Sequence, residues 1–192
     1  MKITNVRVYD LEESVIACRN AMRLYPPEYT EVEFKNSLER AKKLCRMGGG
    51  SGHTNFRKGI RVSFDIVYPN YLSPEMQRYN WWDIVCSASK MHKIMEMDFD
   101  VCCNEWVEDE IKALMKRLIA KYKTEPNEEN FMRVISNCPL GVELFMRVST
   151  NYEQLATIYR QRKTHKLPEW RVIAKWIETL PYAEDLIICN IK

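Results

Sequence analysis

The stretch PLGVELFMRVSTNYEQLATIYRQRKTH, residues 139–165, decides the fold class. Val142, Leu144, Met146 and Val148 recur at every second position, the period of a strand with one buried face. Asn151-Tyr152-Glu153-Gln154 then reads as the capped start of a helix running to about Thr164. Asn151 and Arg162 stand eleven positions apart. At about 100° per residue, that is three turns plus roughly 20°, so both side chains share a face. Leu155 and Ile158 lie between them on it. An arginine on an inward-looking apolar stripe must be paired or must meet an anion. Its planar guanidinium suits a phosphate or a pyrimidine carbonyl. The alternative is a structural salt bridge to one of the 26 Asp and Glu residues.

Outward from this stretch, residues 2–9 and 60–66 also read as strands. In the second, Ile60, Val62, Phe64 and Ile66 alternate strictly with Arg61, Ser63 and Asp65. Asp10-Leu11-Glu12-Glu13 and Thr30-Glu31-Val32-Glu33 are capping-box patterns. The helices they open carry apolar stripes Leu11, Val15, Cys18, Met22 and Phe34, Leu38, Ala41, Cys45. Gly48-Gly49-Gly50 ends the second helix and predicts a mobile loop. Ser73-Pro74-Glu75 starts a broken helix to about Met95, with Ser73 as its cap. Residues 105–123 form a helix with Val107, Ile111, Leu114, Leu118 and Tyr122 inward, and a shorter one covers about 127–137. Pro168 opens the last helix, with Val172, Ile173, Trp176, Ile177 and Leu180 inward. The order is α/β (α+β) in class and not a simple doubly wound sheet.

The 192 residues suit a single domain spanning 1–192, and 46% hydrophobic content is enough for a core. A net charge of +3 does not describe a polybasic nucleic-acid or membrane binder, and nucleic acid is not the expected partner. Seven irregularly spaced cysteines show neither a disulfide framework nor a zinc pattern, so reduced thiols are expected. The first residues lack the apolar run of a signal peptide, and no stretch approaches the roughly 20 apolar residues of a membrane helix. A cytoplasmic protein is expected. His53, His92 and His165 are too scattered for a three-histidine metal site, and no metal is expected. Trp81-Trp82 reads as core, His92 as structural, and the Gly49–Gly52 region as a connector rather than a phosphate loop.

Pro139-Leu140, then Ser149-Thr150-Asn151, then Arg160-Gln161-Arg162 and His165 together resemble the C-terminal signature of the flavin-dependent thymidylate synthases, ThyX. The resemblance covers about residues 50–180. It implies a ThyX-like fold, a mixed sheet flanked by helices, and a homotetramer with shared sites. By this resemblance Arg162 matches the arginine that binds dUMP. Asn151 matches the asparagine of the flavin and nucleotide site, and His165 a histidine near the flavin once one residue is deleted. Gly52-His53 resembles the family's Gly-His segment, which places His53 among the cofactor candidates. Within Gln77–His92, Arg78 matches the first arginine of the family's Arg-His-Arg motif and Ser89 its late serine. Both join the nucleotide-binding candidates.

The departures are specific. Tyr79 and Asn80 stand where the motif needs positive charge, Glu153 stands where the family has arginine, and the family's Glu-His pair falls on Lys58-Gly59. FAD is the cofactor that the resemblance implies, and these losses remove the charge that would hold it. The expectation is a diverged, nucleotide-binding member that sequesters or senses a nucleotide or other small anion, in a phage or mobile-element setting. One alternative is an active flavin-dependent methyl- or hydroxymethyltransferase on dUMP. The other is an inhibitor that binds a host protein on the same scaffold.

Overall fold

The computed structural model describes residues 1–47 and 52–189. In chain order the elements are β1 (Lys2–Tyr9), α1 (Leu11–Ala17), α2 (Glu31–Arg46), β2 (Arg61–Pro69), α3 (Ser73–Met76), β3 (Asp83–Ser87), α4 (Lys90–Lys93), α5 (Phe99–Cys102), α6 (Asp109–Thr124), α7 (Glu128–Asn137), β4 (Glu143–Asn151), α8 (Tyr152–Arg162), α9 (Pro168–Ile177) and α10 (Ala183–Leu186). Short 3-10 turns fill several connections, among them Asn55–Lys58. The Gly48–Gly50 loop lies outside the described residues.

The strands form one sheet in the order β1-β2-β4-β3. Every pairing is antiparallel, where the resemblance implied a mixed sheet. β2 and β4 pair in unbroken register from Arg61 opposite Asn151 to Pro69 opposite Glu143. The period of two therefore puts Val62, Phe64 and Ile66 on the same face as Thr150, Val148 and Met146, all essentially inaccessible. The other face is polar: Arg147 Nη1 is 3.0 Å from Asp65 Oδ1 across the ladder, and Arg61 Nη2 donates to Ser149 Oγ at 3.1 Å.

The buried side chains of α1, α2, α8 and α9 join the apolar sheet face in one cluster. Phe64 is its hub, with ring centroids 5.4 Å from Trp82 and 4.5 Å from Trp176. Trp82 is thus core, as its sequence context suggests, while Trp81 is 41% exposed. The Pro139–Gly141 segment braces the far end of the sheet. Leu140 O accepts from Tyr71 N at 3.0 Å and Gly141 O from Asn104 N at 2.9 Å. A Cβ at Gly141 would sit 2.3 Å from Val107 Cγ2, so the close approach needs glycine there.

Several local expectations are corrected. Residues 83–87 are not helical; they form the edge strand β3, exposed throughout and bulged between Ile84 and Cys86, which erases any alternation. Asp10 starts α1 from a left-handed conformation (φ 55°) and its side chain caps nothing. Ser73 lies inside α3, which begins after Leu72. In α6 the buried positions are Met115 and Ile119, whereas Ile111 is exposed. Val172 is exposed, and α9 is followed by the short α10.

Two capping readings hold in detail. Thr30 accepts from Glu33 N at 3.2 Å, and Asn151 Oδ1 accepts from Gln154 N at 2.9 Å. The Asn151 cap is buried at the junction of β4 and α8, so its loss is not repaired by water. Asn151→Ala is expected to lower stability by about 1 kcal/mol, and Asn151→Asp to retain most of it. Urea denaturation of the two variants measures both.

Candidate functional site

The candidate residues gather around the C-terminal end of α8. The Arg162 side chain is 16% exposed and is held by its neighbours through Nε and Nη1. Its Nη1 lies 2.9 Å from Glu75 Oε2, and its Nε donates to the Tyr79 hydroxyl at 2.8 Å. The guanidinium carbon stands 4.8 Å above the Trp170 ring and 5.8 Å above that of Tyr79. The same Glu75 oxygen accepts from Trp170 Nε1 at 2.7 Å. Tyr79 then donates to Gln161 Oε1 at 3.1 Å, so its hydroxyl both accepts and donates.

Arg162 Nη1 also lies 2.7 Å from His165 Nε2, while Leu167 N approaches His165 Nδ1 at 3.2 Å. An imidazole offers at most one acceptor nitrogen, and the shorter contact, from a cation, takes that lone pair. His165 is therefore a structural neighbour of Arg162. Beyond it, Tyr71 donates to Glu169 in a short contact, and burial together with this carboxylate pushes the Tyr71 phenol well up.

On the open side of this cluster is a cleft of ≈ 330 Å³ lined by Arg78, Asn80, Gln154, Thr157, Gln161 and Arg162, with Tyr79 at its back. Arg78 is exposed, and its side chain makes no hydrogen bond or ion pair with the described residues. Gln154 Oε1 accepts from Trp81 N at 3.3 Å, and Gln161 Oε1 from Tyr79. Both carboxamides therefore keep their NH₂ groups as donors. The lining offers a free cation and several N–H donors, which suits an anionic ligand rich in acceptor oxygens. Larger grooves, of ≈ 580 Å³ between α8 and α9 and ≈ 520 Å³ beside α2, also carry basic residues, Lys163, Arg171 and Lys175 in the first and Arg19, Arg40 and Lys43 in the second, but neither contains a residue that the sequence marks as a site candidate.

The sequence candidates thus divide. Arg78 and Arg162 come together in the cleft. Asn151 sits at the opposite end of α8, roughly 16 Å away along its axis at 1.5 Å per residue. Its carbonyl oxygen is spent on the helix cap. Ser89 caps α4, accepting from His92 N at 3.4 Å with the His92 ring 2.9 Å away. His53 is exposed beside the Asn55–Lys58 turn and lines no part of the cleft. Sequence reasoning missed Glu75, Gln154 and Gln161. Glu75 has no spacing relation to Arg162, and the glutamines sit on α8 at positions to which the resemblance assigns no role.

No protein-family model matches the sequence, and no curated protein matches it. Solved structures do. The flavin-dependent thymidylate synthase ThyX from Helicobacter pylori, complexed with FAD and dUMP, superposes with a TM-score of 0.74 over 98% of this chain and 99% of that one, at 15% identity. The fold is the ThyX fold. The UMP/dUMP methylase PolB from Streptomyces cacaoi, bound with 5-Br dUMP, gives 0.58 over 93% and 89%, at 12% identity. At these identities the likeness to ThyX is one of architecture, and the chemistry rests on the residues present. Among the described residues no helix is long and apolar enough to cross a membrane, and no cluster of His, Cys, Asp or Glu could hold a metal ion.

The Glu75–Arg162 pair is mostly shielded from water, so breaking it leaves a poorly solvated guanidinium. Glu75→Gln is expected to lower stability by about 2 kcal/mol. It also leaves Arg162 without a counter-charge, so inorganic phosphate should protect the variant against thermal unfolding more than the wild type. Thermal shift with and without phosphate measures this.

Proposed function

We propose that this protein binds a pyrimidine mononucleotide in the Arg78–Arg162 cleft, as a sequestering or sensing protein and not as a thymidylate synthase. The observation that carries the reading is the cleft itself. A volume of ≈ 330 Å³ suits one mononucleotide, with Arg78 free for phosphate and the Gln154 and Gln161 amides free for base carbonyls. The fold supports it: ThyX from Helicobacter pylori binds dUMP on the same architecture, and so does PolB with 5-Br dUMP. Arg162 contributes a cation already held by Glu75, and so acts as an anchor for Tyr79 and the cleft wall as much as a ligand.

The FAD contacts implied by the sequence resemblance do not fit the residues as they stand. Asn151 spends its oxygen on the α8 cap and His165 its lone pair on Arg162. Glu153, in place of a family arginine, is engaged by Arg57 at 3.5 Å. The residues present therefore do not supply a flavin's contacts. A working methyltransferase is the second reading, favoured by the near full-length match to an FAD- and dUMP-bound enzyme. It requires a yellow protein.

Calorimetry with UMP, dUMP and adenine nucleotides tests the proposal. Pyrimidine nucleotides should bind, and Arg78→Ala should weaken binding roughly ten-fold, the loss of one charge-assisted contact. Absence of binding across the panel, or binding indifferent to both Arg78→Ala and Arg162→Ala, contradicts it. Visible absorption of purified protein, before and after incubation with FAD, decides between the readings: no bound flavin is expected, and stoichiometric flavin supports the enzyme.

A further inference from the structure

A second cluster takes no part in the cleft. Arg57, in the Asn55–Lys58 turn, is 6% exposed and meets two thiols. Its Nε is 3.2 Å from Cys45 Sγ on α2, and its Nη2 is 3.2 Å from Cys189 Sγ, just beyond α10. Its third nitrogen, Nη1, faces the buried Glu153 Oε2 at 3.5 Å. Two sulfur atoms from distant parts of the chain are thus held side by side on one guanidinium. A carboxylate alone would balance the charge of the arginine; the two thiols take its remaining donors and bring chemistry of their own.

We propose that Cys45 and Cys189 are an oxidisable pair, in which the Cys189 thiolate attacks a peroxide and Cys45 closes the disulfide. In the first step the Cys189 sulfur displaces hydroxide from hydrogen peroxide and becomes a sulfenic acid. In the second, the Cys45 sulfur attacks Cys189, the S–O bond breaks, and the Cys45 proton leaves with that oxygen as water. The pair loses two hydrogens and the peroxide becomes two waters. The division of roles follows the surroundings. Cys189 is lowered to about 7 by the Cys45 hydrogen bond and the Arg57 charge, while the same hydrogen bond and burial raise Cys45. Cys18, Cys102, Cys103 and Cys138 are all raised by burial. The disulfide ties the segment after α10 to the end of α2. It leaves Arg57 with Glu153, in the first turn of α8, as its remaining partner, so the oxidation state acts on the helix that carries the cleft.

The test uses the full chain. At pH 7 a thiol near 7 is about half ionised and thiols raised above 9 at most about 1%; the weaker nucleophilicity of the less basic thiolate leaves an advantage of at least roughly five-fold. Limiting iodoacetamide followed by peptide mapping should therefore label Cys189 at least about five-fold faster than Cys18, Cys102, Cys103 and Cys138. Hydrogen peroxide should then give a Cys45–Cys189 linked peptide in non-reduced digests. In Cys45→Ser, sulfenic acid should instead accumulate on Cys189 and be trapped by dimedone. Labelling of Cys189 no faster than the buried thiols overturns the proposal. So does peroxide-treated wild type in which Cys189 is oxidised while Cys45 still alkylates, a result that needs no variant to fold.

Discussion

A guanidinium at the inward end of a helix cannot be left without a counter-charge, and the arrangement around Arg162 follows from that constraint. Glu75 supplies the charge from α3, Trp170 shares the same carboxylate oxygen from α9, and Tyr79 and His165 meet the guanidinium at Nε and Nη1. The Glu75–Tyr79 segment and α9 are thereby pinned to the end of α8. Because Tyr79 is turned back onto Arg162, its neighbours Arg78 and Asn80 face the open side, and a cleft exists there. The cleft is thus a consequence of how one buried charge is neutralised.

The sheet was legible where one face is buried. The alternation in β2 and β4 matches their register, because a shift by one residue would expose every apolar side chain. β3 was not legible: it lies at an edge, all its side chains are exposed, and its bulge breaks the period. Thr30 and Asn151 announced their helices through short-range chemistry, whereas Asp10, with the same local pattern, is held in a left-handed conformation that takes its carboxylate away from the cap.

For the site, the sequence placed Arg162 on an inward face and left its partner open between an anion and a carboxylate. Helical geometry gave the angle but not the long-range contact, and nothing local relates position 75 to position 162. The same geometry put Asn151 and Arg162 on one face without bringing them within reach of a single small ligand. Glu153 read as a charge reversal against the family pattern. In three dimensions it faces Arg57, so the reversal is absorbed by a buried cation four residues before β2 begins. On this fold a helix-end arginine is thus held by polar groups that serve structural roles.

The most direct measurement is a crystal structure of the protein grown with UMP or dUMP. The account predicts a nucleotide between Arg78 and the Gln154–Gln161 face of α8, its phosphate on Arg78 and the Glu75–Arg162 pair intact. A nucleotide bound elsewhere, or at this cleft only after Glu75 has released Arg162, would contradict it.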